Sequence, residues 1–339
     1  MRLSEVPNYD PGPRLLYSAT PDEVARGATT DIYFLRTYEI LERLGRLDTP
    51  VVAEIFTSRA GVMAGVPECQ QLLAGRKVGV WALPEGEEFG GKEVVMRIAG
   101  PYVEFGLLET ALLGILASSC AWATAARECR KAAGDRLVIC FGARHVHPAV
   151  APVMERAALV GGAGGASCIM AARLAGRLPS GTIPHAAILI AGDTVEVARA
   201  YDRYMPADAP RIILVDTFKD EAEEALRVAQ ALGPALNGVR LDTPAERGGV
   251  TPDLVREVRQ RLDQAGFSHV KIFVSGGLDP ARIALLAEAG ADAFGVGSYI
   301  SGTRPIDMTL DLKEVAGQPI AKRGRIPGIT PGTRLQKIL

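Results

Sequence analysis

His185 is one of four histidines in 339 residues. It stands in the stretch SGTIPHAAI, beside Pro184, with Gly181 and Thr182 just ahead and an apolar run behind. A neutral imidazole nitrogen near pH 7 is a competent nucleophile, yet a lone histidine after a turn reads equally as a packed core residue. The other chemically able residues bear on that choice. KIFVSGGLDP ends an apolar run in Ser275, Gly276 and Gly277, and DAFGVGSYI ends the next in Gly295, Gly297 and Ser298. Glycine lets backbone N–H groups approach an anion, serine adds a hydroxyl, and a following helix contributes its positive end. Two such ends in succession point to a phosphate cradle, although tight turns also use glycine for backbone reasons alone. FGARHVHP carries Arg144, His145 and His147, which suit phosphate or a leaving pyrophosphate. LVDTF and RLDTP carry Asp216 and Asp242, which suit ribose hydroxyls or magnesium. Each has a plainer alternative: Asp-Thr can cap a helix, and Arg-His can be a solvated loop. Together they imply a pocket for a phosphorylated sugar with a second anion nearby. The chain has no G-K-[ST] loop and no well-placed G-x-G-x-x-G, which argues against a P-loop nucleotidase or a Rossmann dehydrogenase.

These residues need elements to hold them. From residue 135 onward, apolar runs of strand length recur at 137–141, 186–190, 212–215, 239–241, 270–274 and 293–296. Helical segments at 220–232, 252–265 and 280–289 separate most of them, with Pro252 and Pro280 where a first turn tolerates proline. Continuous apolar strands alternating with helices argue for a parallel sheet buried on both faces. Six such units without a return strand favour a closed or nearly closed α/β barrel, whose chemistry sits at the strand ends. Residues 51–102 are glycine-rich with short strands and read as a separate β-containing unit. The expected division is an N-terminal α/β domain over 1–110, completed by a tail at 303–339, and a barrel over 111–302.

Composition excludes several classes. The 38 basic and 39 acidic residues leave a net charge of -1, so nothing global draws the chain to nucleic acid or an anionic membrane. Cys69, Cys120, Cys129, Cys140 and Cys168 form no C-x-x-C pair and read as thiols of a reducing cytoplasm. The first residues lack the apolar core of a signal peptide. Residues 105–126 hold one charge, Glu109, and approach a membrane span in length. Their small residues and lack of flanking charge asymmetry fit a buried helix instead.

In order along the chain, TTDIYFLRTYEIL, AEIFTSRAGVMAGVPE, VEFGLLETALLGIL, FGARHVHP, GTIPHA, LVDTF, RLDT, SGGLD and FGVGS resemble nicotinate phosphoribosyltransferases, from about residue 28 to KRGRIPG. The resemblance implies a type II phosphoribosyltransferase fold, an irregular and incomplete α/β barrel with an N-terminal α/β domain, working as a homodimer or a larger assembly of dimers. It implies that nicotinate attacks C1 of phosphoribosyl pyrophosphate, giving nicotinate mononucleotide and pyrophosphate, a step of NAD salvage. It implies ATP as co-substrate, magnesium entering with the substrates near Asp216 or Asp242, a substrate contact from Thr182, and phosphorylation of His185, the histidine of the G-T-x-x-H motif that runs from Gly181. By the same likeness Arg144 and Asp242 join His185 in catalysis, while Ser275, Gly276, Gly277, Gly295, Gly297 and Ser298 cradle the 5′-phosphate. Tyr33 is the expected ring that stacks on the pyridine, reaching into a neighbouring subunit. Many family members have two arginines where this chain has Arg144-His145, which leaves the second anion contact to histidine. Some archaeal relatives carry a cysteine-rich metal knob that is missing here, so no structural zinc is expected. Quinolinate phosphoribosyltransferase is the neighbouring alternative, with a T-R-K-T-type motif where this chain reads ARHVHP. A sugar-phosphate aldolase or isomerase would need a Schiff-base lysine or a catalytic carboxylate pair at strand ends, and Lys271 begins its strand at the wrong end. A sensor of phosphoribosyl pyrophosphate would keep the cradle without turnover.

Overall fold

Strand-length apolar runs need cover on both faces, and the chain supplies it separately in two units. The computed structural model describes residues 1–339. One unit comprises Met1–Thr124 with Arg304–Leu339, the other Ala125–Thr303.

The first unit is built on a six-stranded antiparallel sheet in the order Gln318–Pro319, Met308–Val315, Pro50–Thr57, Val94–Pro101, Gly79–Ala82, Gln336–Lys337. Three of these six strands come from the C-terminal tail. The tail is also tied by Glu54, buried in its strand, which accepts from Arg97 Nη2 at 2.6 Å and from Thr330 Oγ1 at 2.6 Å. Against the sheet lies the start of the long helix Glu109–Ala133. Its Leu112, Leu116 and Cys120 are fully buried with Ile55, Met96 and Ile98 of the strands. The apolarity that approaches a membrane span therefore serves a core.

The second unit holds a six-stranded parallel sheet, ordered Gly165–Ala166, Leu137–Cys140, Ala293–Val296, Lys271–Ser275, Gly238–Leu241, Ile212–Leu214. It is barrel-like and incomplete, because no pairing joins its two outer strands. The helices between strands begin where side chains cap them. Asp220 accepts from Ala222 N, Thr251 from Leu254 N and Asp279 from Arg282 N, with Pro252 and Pro280 in the first turns. One expectation fails. Residues 186–190, read as a strand, lie in the helix His185–Ala191, and the edge strand is Gly165–Ala166 instead. A short apolar run carries no period of its own. Here Pro184 opens a helical turn, left-handed Gly192 closes it, and Leu189 and Ile190 are exposed at 58% and 87% rather than buried in a sheet.

Candidate active site

The carboxyl ends of the parallel strands surround a cleft of about 590 Å³, lined among others by Arg144, His145, Thr182, His185, Arg240, Asp242 and Ser275. At its centre is Arg240, the one charged residue of the strand Gly238–Leu241. Its Nε donates to Ser275 Oγ at 2.9 Å, Nη1 to Thr182 Oγ1 at 2.9 Å and Nη2 to Asp242 Oδ2 at 3.0 Å. Its guanidinium also lies 5.3 Å from the centre of the Phe141 ring. A rigid planar fork suits this junction, where three strand ends and the segment before His185 must keep register. Ser275 Oγ in turn donates to Asp242 Oδ1 at 2.7 Å.

His185 opens its short helix with the side chain partly exposed. Its Nδ1 lies 3.1 Å from Thr217 Oγ1. Its Nε2 lies 3.9 Å from Asp216 Oδ1 and 3.8 Å from Asp242 Oδ2. The two aspartates are joined, since Asp242 N donates to Asp216 Oδ2 at 3.1 Å. Neither caps a helix; Asp220 and Thr251 do that work. Asp216 Oδ1 is buried without any hydrogen-bond partner. Burial, and then the charge of Asp242, push the Asp216 carboxyl above the usual carboxylate range, while His185 opposes the rise. An orphaned buried oxygen facing an imidazole and a second carboxylate marks a place for a cation or a donor.

The remaining expected residues are placed as follows. Arg144 and His145 occupy the turn Ala143–His145 at the mouth, exposed, with His145 Nδ1 3.3 Å from Ser301 Oγ. Gly276 and Gly277 line the cleft with φ of +92° and +59°, values that favour glycine, and a Cβ on Gly276 would come 3.2 Å from Asp242 Oδ1. Gly295 lies inside its strand, where a Cβ would meet the Phe141 ring at 2.3 Å. Gly297 leaves equally little room beside His145, at 2.6 Å, and Ser298 begins the next helical turn at the cleft wall. His147 is exposed, accepts from Ala149 N, and is not part of the lining. Tyr33 belongs to the other unit, on the helix Ile32–Arg43, half-exposed and against Phe34 with ring centres 4.3 Å apart. Sequence reasoning passed over Arg240 and Phe141. The available signal was a lone arginine inside an apolar run of strand length, where burial demands partners.

Family models of the quinolinate phosphoribosyl transferase match both parts of the chain, the N-terminal domain over residues 31–120 and the C-terminal domain over 122–311. A nicotinate phosphoribosyltransferase of Mycobacterium tuberculosis is 34% identical over 263 residues, 75% of this chain and 57% of that protein. The chain thus spans little more than half the length of that curated relative. A crystal structure of a nicotinate-nucleotide pyrophosphorylase from Pyrococcus furiosus is 45% identical, with a TM-score of 0.90 over 94% of this chain and 82% of that one. Human nicotinic acid phosphoribosyltransferase shares the fold, at 21% identity and a TM-score of 0.71 over 88% of this chain and 77% of that one. The chain belongs to the quinolinate phosphoribosyl transferase family and has the type II phosphoribosyltransferase fold.

Proposed function

We propose that the protein is a nicotinate phosphoribosyltransferase that joins nicotinate to phosphoribosyl pyrophosphate and couples the step to ATP. The observation that carries this reading is His185, tied at Nδ1 to Thr217 and facing Asp216 and Asp242 at Nε2. If Nδ1 donates its proton to the threonine hydroxyl, Nε2 keeps a lone pair for phosphorus. In the ATP half-reaction, a bond from that nitrogen to the γ-phosphorus forms as the bond to ADP breaks. In the transfer itself, the pyridine nitrogen bonds to C1 as the C1–oxygen bond to pyrophosphate breaks, through an oxocarbenium-like state. Such a reaction needs charge placement more than a strong base. Arg144 takes the leaving pyrophosphate, Asp242 faces the ribose, and Ser275 with Gly276 and Gly277 hold the 5′-phosphate.

No group of three or more His, Cys, Asp or Glu is arranged to hold a metal by itself. The orphaned Asp216 Oδ1 and its neighbour Asp242 fit magnesium arriving on substrate phosphates, whose charge it would neutralise. Tyr33, exposed on its helix, is proposed to cover the pyridine in a neighbouring copy of a homodimer.

Quinolinate phosphoribosyltransferase is a second reading, favoured by both family models and by the name of the Pyrococcus furiosus protein. Against it, quinolinate brings two carboxylates, and Arg240 is already engaged by Asp242, which leaves Arg144 as the one arginine of the lining without an acidic partner. The deciding experiment is nicotinate mononucleotide formation with and without MgATP, for wild type and His185→Ala. ATP stimulation that the variant loses is the expected result. Product without any ATP effect would remove the phosphohistidine; turnover of quinolinate and not nicotinate would promote the second reading.

A further inference from the structure

We infer that Glu155 is a positioning residue that sets the pyrophosphate-binding loop. It sits on the helix Ala151–Gly161 and is wholly buried. Its Oε1 accepts from Ala143 N at 3.1 Å and from Ser167 Oγ at 2.8 Å, and its Oε2 accepts from Cys168 N at 2.6 Å. All three donors are neutral. A carboxylate buried without a counter-charge is expensive to keep, so filling space in the core does not account for it. What Glu155 does that an apolar residue cannot is join two separate loops. One follows the strand Leu137–Cys140 and carries Arg144 and His145; the other follows Gly165–Ala166 and carries Ser167. Ala143, Arg144, His145 and Ser167 all line the cleft. The same helix seats the first loop sterically, since a Cβ on Gly142 would meet Met154 Cε at 2.6 Å. Arg144 itself has no anchoring partner, so the loop's backbone decides where its guanidinium can reach.

The inference rests on the phosphoribosyl-transfer reading, in which Arg144 meets pyrophosphate. Glu155→Gln keeps the shape but replaces one acceptor oxygen with a donor, leaving at least one loop N–H or hydroxyl unmet. The full-length chain is compared as wild type, E155Q, Arg144→Ala and the double variant. KM for phosphoribosyl pyrophosphate is expected to rise about tenfold in E155Q, and calorimetric affinity for inorganic pyrophosphate to fall in step. KM for nicotinate should stay within about twofold, and adding E155Q to Arg144→Ala should change little more, because the two act through one contact. An unchanged pyrophosphate affinity in folded E155Q would overturn the proposal, as would effects that multiply fully in the double variant. Should E155Q not fold, Ser167→Ala removes a single donor and is expected to shift the same two readouts by about threefold. If wild type binds neither ligand, the transfer reading fails on its own. Amide exchange at Ala143 and Cys168 needs no ligand and then judges the clamp, with faster exchange in E155Q expected and equal exchange refuting it.

Discussion

Arg240 shows what one side chain can organise when it is placed among strand ends. Its three donor groups reach Ser275, Thr182 and Asp242, and its face covers Phe141. Replacing it with lysine keeps the charge but gives a single ammonium that cannot meet three separated oxygens in a plane. On the proposed phosphoribosyl-transfer function, Arg240→Lys is therefore expected to lower kcat/KM for phosphoribosyl pyrophosphate about 100-fold, roughly 2.7 kcal/mol of transition-state stabilisation. Steady-state kinetics checks this, and a loss below about threefold would show that Arg240 serves only the fold. His185 presents the complementary case. Its chemistry depends less on its own identity than on Asp216 and Thr217, adjacent after one strand, and Asp242, delivered by the next.

At the level of elements, the strand Ala293–Val296 shows why a glycine can matter without any special backbone angle. Gly295 pairs with Ser275 on one side and Ile139 on the other, and the Phe141 ring fills the space where a side chain would stand. Gly295→Ala would place a methyl 2.3 Å from that ring, and the ring would move against Arg240. Overpacking of this kind costs about 1–3 kcal/mol. The expected outcome is a lowered melting temperature together with a fall in kcat/KM that the loss of folded protein does not account for. A variant with full activity per folded molecule would refute the link from Gly295 through Phe141 to the site. The short helix His185–Ala191 belongs at this scale too, because it turns a run that reads as strand into the mount of the central histidine.

For the whole molecule, the long helix Glu109–Ala133 carries a titratable group where a fold is poorly served by one. Burial, then the charges of Asp311 and Asp31, raise the Glu109 carboxyl from 4.5 to about 7. The folded chain therefore holds this proton up to about pH 7, whereas the unfolded chain releases it near pH 4.5. Stability from this group is present below the unfolded value and is lost as pH rises through the folded one. Glu109→Gln should accordingly stabilise the protein at pH 8, on the order of 1–2 kcal/mol after solvent screening, and have almost no effect at pH 4.5. Denaturant melts at the two pH values measure it; equal shifts at both would mean that Glu109 titrates as an ordinary surface glutamate.

Five of the six parallel strands and three long helices among them were legible in the residues, since continuous apolar runs and Pro, Asp and Thr at helix starts are local signals. The ends of those strands, with their glycines, serines and aspartates, likewise pointed to where the cleft lies. Three-dimensional packing alone decided the rest. Residues 186–190 lacked a period to tell strand from helix, and the cover they receive, not their composition, settles it. Arg240 gains its role only when Thr182 and Ser275, from distant parts of the chain, come within bonding reach beside its near neighbour Asp242. Nothing local marks Glu155, whose role appears only when two loops fold their donors onto it. Sequence spacing records which residues can do chemistry, but hydrogen bonds act over about 3 Å, and only the folded chain decides which groups come that close.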